Sequence, residues 1–344
     1  MYVLELAGQD DGFAVAEAAT AASDVTPIAA GLATARGLEA GFETLAFTHR
    51  AAELIGLTGV TIESAVALLT AAGIDRTGTV AVRARDVRST TGIDTQAAER
   101  ALGDVLVERG FTVDLDDPDH VLQALFAGRD GASAVESGGA SPTGGQDVID
   151  PDDGVCALGW LVAETDRDFA DRQPTDRPFF QPGSMEPALA RAIVNLVGAG
   201  PDTTILDPMC GTGGLLLEAG RVDATPIGGD VQAKMVRGTR ENLRALLAGP
   251  WHLYRGDAGR VPLADDSIDG VVFDAPYGRQ SKIEGDLDDL VADALAEARR
   301  VATRGVVVGD RSWAGAAERV GWTVEATFER RVHRSLVRYI SVLR

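Results

Sequence analysis

The sequence predicts an α/β chain of two unlike halves. The C-terminal half is a doubly wound, mostly parallel sheet, and the N-terminal half mixes strands and helices. Three observations point there. Beyond residue 200, short apolar runs alternate with helix-length amphipathic stretches. Three of those runs end in an acid: Asp207, Asp230 and Asp257. Two of the run ends open turns of unusual composition, Asp207-Pro208-Met209-Cys210-Gly211-Thr212-Gly213-Gly214 and, 67 residues on, Asp274-Ala275-Pro276-Tyr277.

In chain order, Tyr2 to Leu6 reads as a strand, and residues 1–57 as a small ferredoxin-like unit. Residues 58–164 form a second unit. Thr61 to Ala72 reads as a helix, and Thr79 to Arg85 alternates at period two, a strand with Arg83 and Arg85 on one face. Gln96 to Arg109 is an amphipathic helix and Phe111 to Leu115 a strand. Residues 128–154, rich in Gly, Ser, Asp and Ala, bury too little apolar surface to offset their ordering entropy and read as a flexible hairpin insertion. Val155 to Ala163 resumes as a strand. Residues 165–178, with two Pro and four Asp, read as a linker to the last domain, 179–344.

In that domain strands fall near 203–207, 226–230, 252–256, 269–274 and 305–309, with an antiparallel pair near 322–329 and 336–343. The first strand feeds a glycine turn and a helix. Gly211 and Gly213 permit positive φ and close approach of a ligand, and the helix N-terminus offers free N–H groups. A dinucleotide site would want a third glycine where Leu216 stands, and Asp207 would repel a pyrophosphate. A cationic ligand carrying an amino group suits the turn better. Asp230, about 20 residues on, stands where such folds place the acid for ribose hydroxyls. Asp257 is positioned to accept from an adenine amine.

The Asp274-Ala275-Pro276-Tyr277 turn suits methylation of an exocyclic amine, whose lone pair is delocalised into the ring. Two acceptors against its N–H bonds, the Asp274 carboxylate and a carbonyl near Ala275 or Pro276, localise that lone pair. Pro276 aims the turn by fixing φ, and Tyr277 stacks on the base. With S-adenosylmethionine as the cationic ligand, catalysis is positioning and electrostatics.

These motifs resemble the archaeal tRNA guanine-10 N2-methyltransferases. Two further stretches match that family: Pro178-Phe179-Phe180-Gln181-Pro182-Gly183-Ser184-Met185-Glu186-Pro187 before the first strand, and His333-Arg334-Ser335-Leu336-Val337-Arg338 in the last hairpin. The resemblance implies a Rossmann-like seven-stranded class I methyltransferase domain behind a THUMP RNA-binding domain. It implies Asp274, Pro276 and Tyr277 as catalytic residues. It implies Phe180, Ser184, Asp207, Cys210, Gly211, Gly213, Asp230 and Asp257 at the cofactor, and Arg83, Arg85, Arg88, Arg279 and Arg334 at tRNA. The product is N2-methyl- or N2,N2-dimethylguanosine, and a small zinc-binding activator protein is a partner to test for. Ala275 stands where the family motif has proline, which leaves the turn less rigid or makes room for an already methylated amine. Other RNA guanosines, a DNA adenine, or a non-catalytic RNA-binding role are the alternatives.

Composition bounds these readings. At about 150 residues per domain, 344 residues suggest at least two domains. No apolar run approaches the roughly 18 residues of a membrane span, and Met1 to Leu6 lacks the basic region of a signal peptide, so the cytoplasm is expected. Cys156 and Cys210 are too few for a disulfide framework or a metal site. The net charge of −20 opposes a polyanionic partner. Lysine occurs only at 234 and 282, however, and this Asp- and Arg-rich bias resembles proteins of salt-loving archaea. In molar salt the Debye length is about 3 Å, so local patches decide. Residues 299–344 carry ten Arg against four acids, and 76–100 carry five against three.

Overall fold

The computed structural model describes residues 1–128, 154–277, 284–333 and 336–344. They fall into two units, Met1–Thr165 and Asp166–Arg344.

The first unit contains strands β1 (Tyr2–Leu6), β2 (Ala22–Ser23), β3 (Thr26–Ala29), β4 (Leu32–Ala35), β5 (Gly37–Leu38), β6 (Thr48–Thr58), β7 (Thr79–Asp86), β8 (Thr112–Val113), β9 (His120–Ala127) and β10 (Val155–Glu164). Its helices are α1 (Asp11–Ala18), α2 (Ile62–Ala71) and α3 (Thr95–Glu108). Asp10, Thr61 and Asp94 cap them, each accepting a backbone N–H three residues on. Eight strands form one sheet, ordered β3-β4-β1-β6-β10-β9-β7-β8, while β2 and β5 pair apart. Period-two alternation decides the faces. Val80, Val82, Leu122, Ala124 and Phe126 pack with Leu69, Leu102 and Leu106 of α2 and α3. Val3, Ala52, Leu125 and Ala157 belong to a second core.

Two expected boundaries move. The cut at 57/58 falls in the last residues of β6, which pairs with β1 on one side and β10 on the other, so one sheet runs through it. The strand expected over Phe111 to Leu115 pairs only at Thr112 and Val113. The Asp114 carboxylate then accepts from the N–H groups of Asp116 and Asp117 and turns the chain away. The expected insertion joins β9 to its antiparallel neighbour β10, and its residues 129–153 lie outside the described ones.

The second unit has strands β11 (Thr204–Asp207), β12 (Thr225–Asp230), β13 (His252–Arg255), β14 (Gly270–Asp274), β15 (Gly305–Gly309), β16 (Val324–His333) and β17 (Leu336–Leu343). Its helices are α4 (Pro187–Val197), α5 (Gly214–Arg221), α6 (Ala233–Leu246), α7 (Glu284–Val301) and α8 (Ala314–Arg319). The sheet order is β13-β12-β11-β14-β15-β17-β16. The first five strands are parallel; β17 runs antiparallel to β15, and β16 to β17. The seven strands and the terminal hairpin are as the sequence predicts. Helices cover both faces: Val197 of α4 lies against Gly270 and Ile205, whereas Leu206, Val271 and Phe273 pack with Val291 and Leu295 of α7.

Of the linker expected over 165–178, all but Thr165 belongs to this unit. It forms two 3-10 turns, Asp168–Arg172 and Pro174–Asp176. Arg172 is buried against Glu218 of α5, with Nε–Oε1 at 2.6 Å and Nη2–Oε2 at 3.0 Å. Arg191 of α4 pairs with the same carboxylate at 3.0 Å. A buried charge has to be paired and hydrogen-bonded, and Glu218 recruits the segment for that purpose.

Candidate active site

The chain order of the parallel strands reverses between β11 and β14, and open α/β sheets bind ligands at the carboxyl edge of such a switch. Asp207, Asp230 and Asp274 end β11, β12 and β14, three adjacent strands. A cavity of about 200 Å³ opens there, lined by Asp207, Asp274, Ser184, Cys210, Gly211, Thr212 and Gly214 among others.

The glycine turn is held from several sides. Asp230 accepts from Gly211 N–H at 3.2 Å and Gln232 N–H at 2.8 Å. Thr239 donates to Gly211 C=O at 2.7 Å. Gly213 has φ +80°, and a Cβ there would meet the Thr239 methyl at 2.7 Å, so only glycine fits. Ser184 donates to Gln181 C=O at 2.8 Å and lies 3.0 Å from Thr212 Oγ1. Asn242 ties the two segments together: it accepts from Phe179 N–H at 2.8 Å and donates to Phe179 C=O at 2.8 Å and Thr212 C=O at 2.9 Å. Asn242 carries no motif in the sequence; its place one helical turn from Thr239 on α6 is the only trace.

The acids sit in costly states. Burial pushes the Asp207 carboxyl well above the usual range, opposed by its bond from Met209 N–H and aided by the negative charges of Asp230 and Asp274. Burial raises Asp230 as well, and pushes Asp274 up to about 6, with the Arg338 charge opposing. A bound cation offsets all three penalties. Behind the turn lies a charge of the other sign. Arg177 is 5% exposed, its Nη1 and Nη2 have no hydrogen-bond partner among the described residues, and a Cβ on Gly214 would stand 3.2 Å from Nη1. Arg177 stands outside the cavity lining, its Nε bonded to Arg172 C=O at 3.2 Å with Glu218 as its countercharge. The carboxylates of Asp207 and Asp274 on the wall and the α5 N-terminus fit S-adenosylmethionine, which carries a sulfonium, an ammonium and a carboxylate.

The Asp274 turn is anchored more firmly than its sequence suggests. Ala275 is 1% exposed in the core, and its N–H donates to Val308 C=O at 2.8 Å, extending the β14–β15 ladder by one bond. A proline there has no N–H to give. The turn is therefore not loosened by alanine; a ladder bond does the work of the ring. Pro276 is exposed. Tyr277 donates its hydroxyl to Asp274, with oxygen distances of 2.9 and 3.2 Å. Arg338 of β17, 2% exposed, donates from Nε to the Tyr277 hydroxyl at 2.9 Å and from Nη2 to Gly183 C=O at 3.1 Å. Its Nη2 lies 3.7 Å from Asp274 Oδ2. Arg338 was visible in the sequence only as the end of the hairpin motif.

Other expected site residues separate from this cluster. Asp257, like Asp230, is not among the residues lining the 200 Å³ cavity; it is exposed and accepts from Gly259 N–H at 3.0 Å. Phe180 is 40% exposed and off the cavity, because its neighbour Phe179 takes the inward place against α6. Cys210 lines the cavity as a buried thiol that burial pushes upward, which suits packing. Arg279 and Arg334 lie outside the described residues. In the first unit, Arg83 donates to Leu115 C=O at 2.9 Å and borders a groove of about 620 Å³ with Arg50 and Arg85. Arg50 and Arg85 share the buried Glu5 at 3.0 and 3.1 Å. Arg88 is turned inward, φ +56°, onto Asp11.

The family described as RMKL-like, methyltransferase domain matches residues 174–340. The tRNA (guanine(10)-N2)-dimethyltransferase of Methanothermobacter thermautotrophicus is 30% identical over 257 residues, 73% of this chain and 69% of that protein. The enzyme of that name from Pyrococcus abyssi is 28% identical over 272 residues, 77% and 74% of the two chains. Among solved structures, TrmN from Thermus thermophilus aligns over 99% of this chain and 98% of its own, at 18% identity and a TM-score of 0.48. The 30% identity to the Methanothermobacter protein, over more than two thirds of both chains, shows that the chain belongs to the tRNA (guanine(10)-N2)-dimethyltransferase family.

Proposed function

We propose that this chain methylates the N2 amine of guanosine 10 in tRNA, using S-adenosylmethionine, and that the second unit holds the reacting groups while the first holds the RNA. The observation that carries this reading is the Asp207, Asp230 and Asp274 row at adjacent strand ends, with Tyr277 fixed against the last of them.

When bound, S-adenosylmethionine supplies an electrophilic methyl on a cationic sulfur. Asp207 would set the negative charge of the wall, with Asp230 behind it holding the Gly211 turn, and the N–H groups at the α5 N-terminus would receive the carboxylate end. Tyr277 has one hydroxyl proton, and Arg338 occupies its oxygen from the other side, so that proton points at Asp274. A carboxylate has about four lone-pair sites, which leaves Asp274 free to accept from the guanine N2–H. A carbonyl of the Ala275-Pro276 turn takes the second N–H. The localised lone pair forms the new C–N bond as the C–S bond breaks, and the surplus proton on nitrogen leaves through Asp274 or water. The target base is paired in a stem, so it has to be extruded at a cost of a few kcal/mol. Stacking on Tyr277, worth about 1–3 kcal/mol, contributes against that cost.

The first unit reads best as a THUMP-type RNA-holding module, with Arg83 and the groove beside it as its basic contact. In a salt-loading cytoplasm the charge of −20 is screened within about 3 Å, which lets such a patch work. An activator subunit remains a partner to test by co-purification. The deciding experiment is methylation of tRNA transcripts followed by nucleoside mass spectrometry. Methyl- or dimethylguanosine is expected on the wild-type transcript and none when guanosine 10 is replaced by adenosine. Product that persists on the replaced transcript overturns the position, and product on duplex DNA overturns the substrate class.

A further inference from the structure

Arg338 is a fully buried arginine whose three contacts belong to different parts of the site. Its Nε reaches the Tyr277 hydroxyl, and its Nη2 reaches both Gly183 C=O and, at 3.7 Å, the Asp274 carboxylate. Gly183 lies in the segment that lines the cofactor cavity with Ser184 and Met185. Tyr277 and Asp274 belong to the turn that receives the base. β17 explains how one residue touches both. It pairs antiparallel to β15 with Gly309 opposite Tyr339, so its first residues, not its last, stand at the carboxyl edge of the sheet.

We propose that Arg338 is the positioning residue of the methyl transfer, fixing the Tyr277 hydroxyl on Asp274 and tying this base clamp to Gly183 of the cofactor wall. The inference rests on the proposed reaction for its rate readout, but its hold on the cofactor wall is testable without RNA. A guanidinium suits this place because its rigid fork serves the phenol oxygen and the carbonyl together; an ammonium reaches one at a time. The charge also matters. The groups facing Asp274 among the described residues are Tyr277 from its own turn, Arg338 from β17, Asp310 after β15 and Asp207 at the end of β11. Arg338 is the one cation in that set. Without it, burial and two neighbouring carboxylates act on Asp274 with only the Tyr277 hydroxyl opposing them.

The test uses the full chain with Arg338→Met, Arg338→Lys and Tyr277→Phe. S-adenosylhomocysteine affinity is measured by calorimetry without tRNA, and single-turnover methylation is measured at saturating tRNA across pH 5 to 8. With Arg338→Met, the rate is expected to fall at least about tenfold, S-adenosylhomocysteine affinity to fall severalfold, and the acidic limb of the rate profile, expected near pH 6 in the wild type from the raised Asp274 carboxyl, to move up by about one unit or more. Arg338→Lys restores the limb but not the rate. An unmoved limb in Arg338→Met, or unchanged S-adenosylhomocysteine affinity, overturns the inference. If Arg338→Met does not fold, Tyr277→Phe decides: it removes only the hydroxyl through which Arg338 acts, and a wild-type rate in that variant overturns the inference. Absence of methyl transfer by the wild-type chain sinks the proposed reaction instead, and leaves the affinity comparison to judge Arg338.

Discussion

The arginines of the first unit and the active-site edge of the second treat charge in opposite ways. In the first, arginines meet carboxylates: Arg85 and Arg50 contact Glu5, Arg50 also Glu164, Arg88 is folded onto Asp11, and Arg76 pairs with Glu53 at 2.7 Å. At the site edge of the second, Asp207, Asp230 and Asp274 stand together with burial raising all three, whereas away from it Arg172 and Arg191 are paired with Glu218 as arginines are in the first unit. Compensated charge reads as architecture. Uncompensated charge costs stability and persists where a ligand supplies the missing partner. The difference corrects the sequence reading of the arginines: Arg88 serves the fold, Arg85 is half committed to Glu5, and Arg83 remains the candidate RNA contact.

The comparison breaks first at Asp274. Asp274→Ala removes an acceptor used at the transition state, so kcat should fall about a hundredfold or more with little change in tRNA affinity. Single-turnover rates alongside filter binding check this, and lost tRNA binding with a normal rate would make Asp274 structural. Next is Asp230→Ala, expected to weaken S-adenosylhomocysteine by about 1.5–3 kcal/mol through its ligand contact and its hold on Gly211 N–H. Calorimetry with an unchanged Kd would remove Asp230 from the site.

For the first unit the sharper contrast is between two arginines. Arg88→Ala should lower unfolding stability by about 1.5–3 kcal/mol, because it strands Asp11, which also accepts from Gly31 N–H. Arg83→Ala should leave the denaturation midpoint in place and raise the tRNA KM. Equal stability losses in the two variants would erase the distinction drawn between them.

The pH dependence follows from Asp274, whose folded value of about 6 exceeds its ordinary 3.8. Between those values the folded state binds the proton that the unfolded state has released. This group's contribution to stability therefore falls as pH rises from 4 to 6. Methylation runs the other way: the ionised acceptor is lost below pH 6, and the rate should drop about tenfold per unit there. Asp274→Asn should flatten both trends in this window, and a rate profile that keeps the wild-type limb in that variant would assign the limb elsewhere. The smallest effect is expected at Asp257. Being exposed and off the cavity, Asp257→Ala should change cofactor affinity by no more than about 0.5 kcal/mol; a larger loss would return it to the site.

The sequence by itself determined the parallel sheet, the helix order, the glycine turn and the acids at Asp207, Asp230 and Asp274. Each is written in local pattern: period-two apolar runs, glycines where φ must be positive, a carboxylate at a strand end. It also marked Asp274-Ala275-Pro276-Tyr277, whose chemistry lies in consecutive residues. Tertiary structure alone decided what depends on distant chain segments meeting. Ala275 looked like a loosened turn until its N–H was found on Val308. Asp257 looked like a free strand-end acid until its carboxylate was found accepting from Gly259 N–H in the loop after β13. Residues 166–176 looked like linker until Glu218 drew Arg172 inward. Arg338 lies 155 residues from Gly183 and 61 from Tyr277. No local rule connects them; the antiparallel pairing of β17 with β15 brings them to one edge, and the burial of a single guanidinium demands partners from both sides of the site.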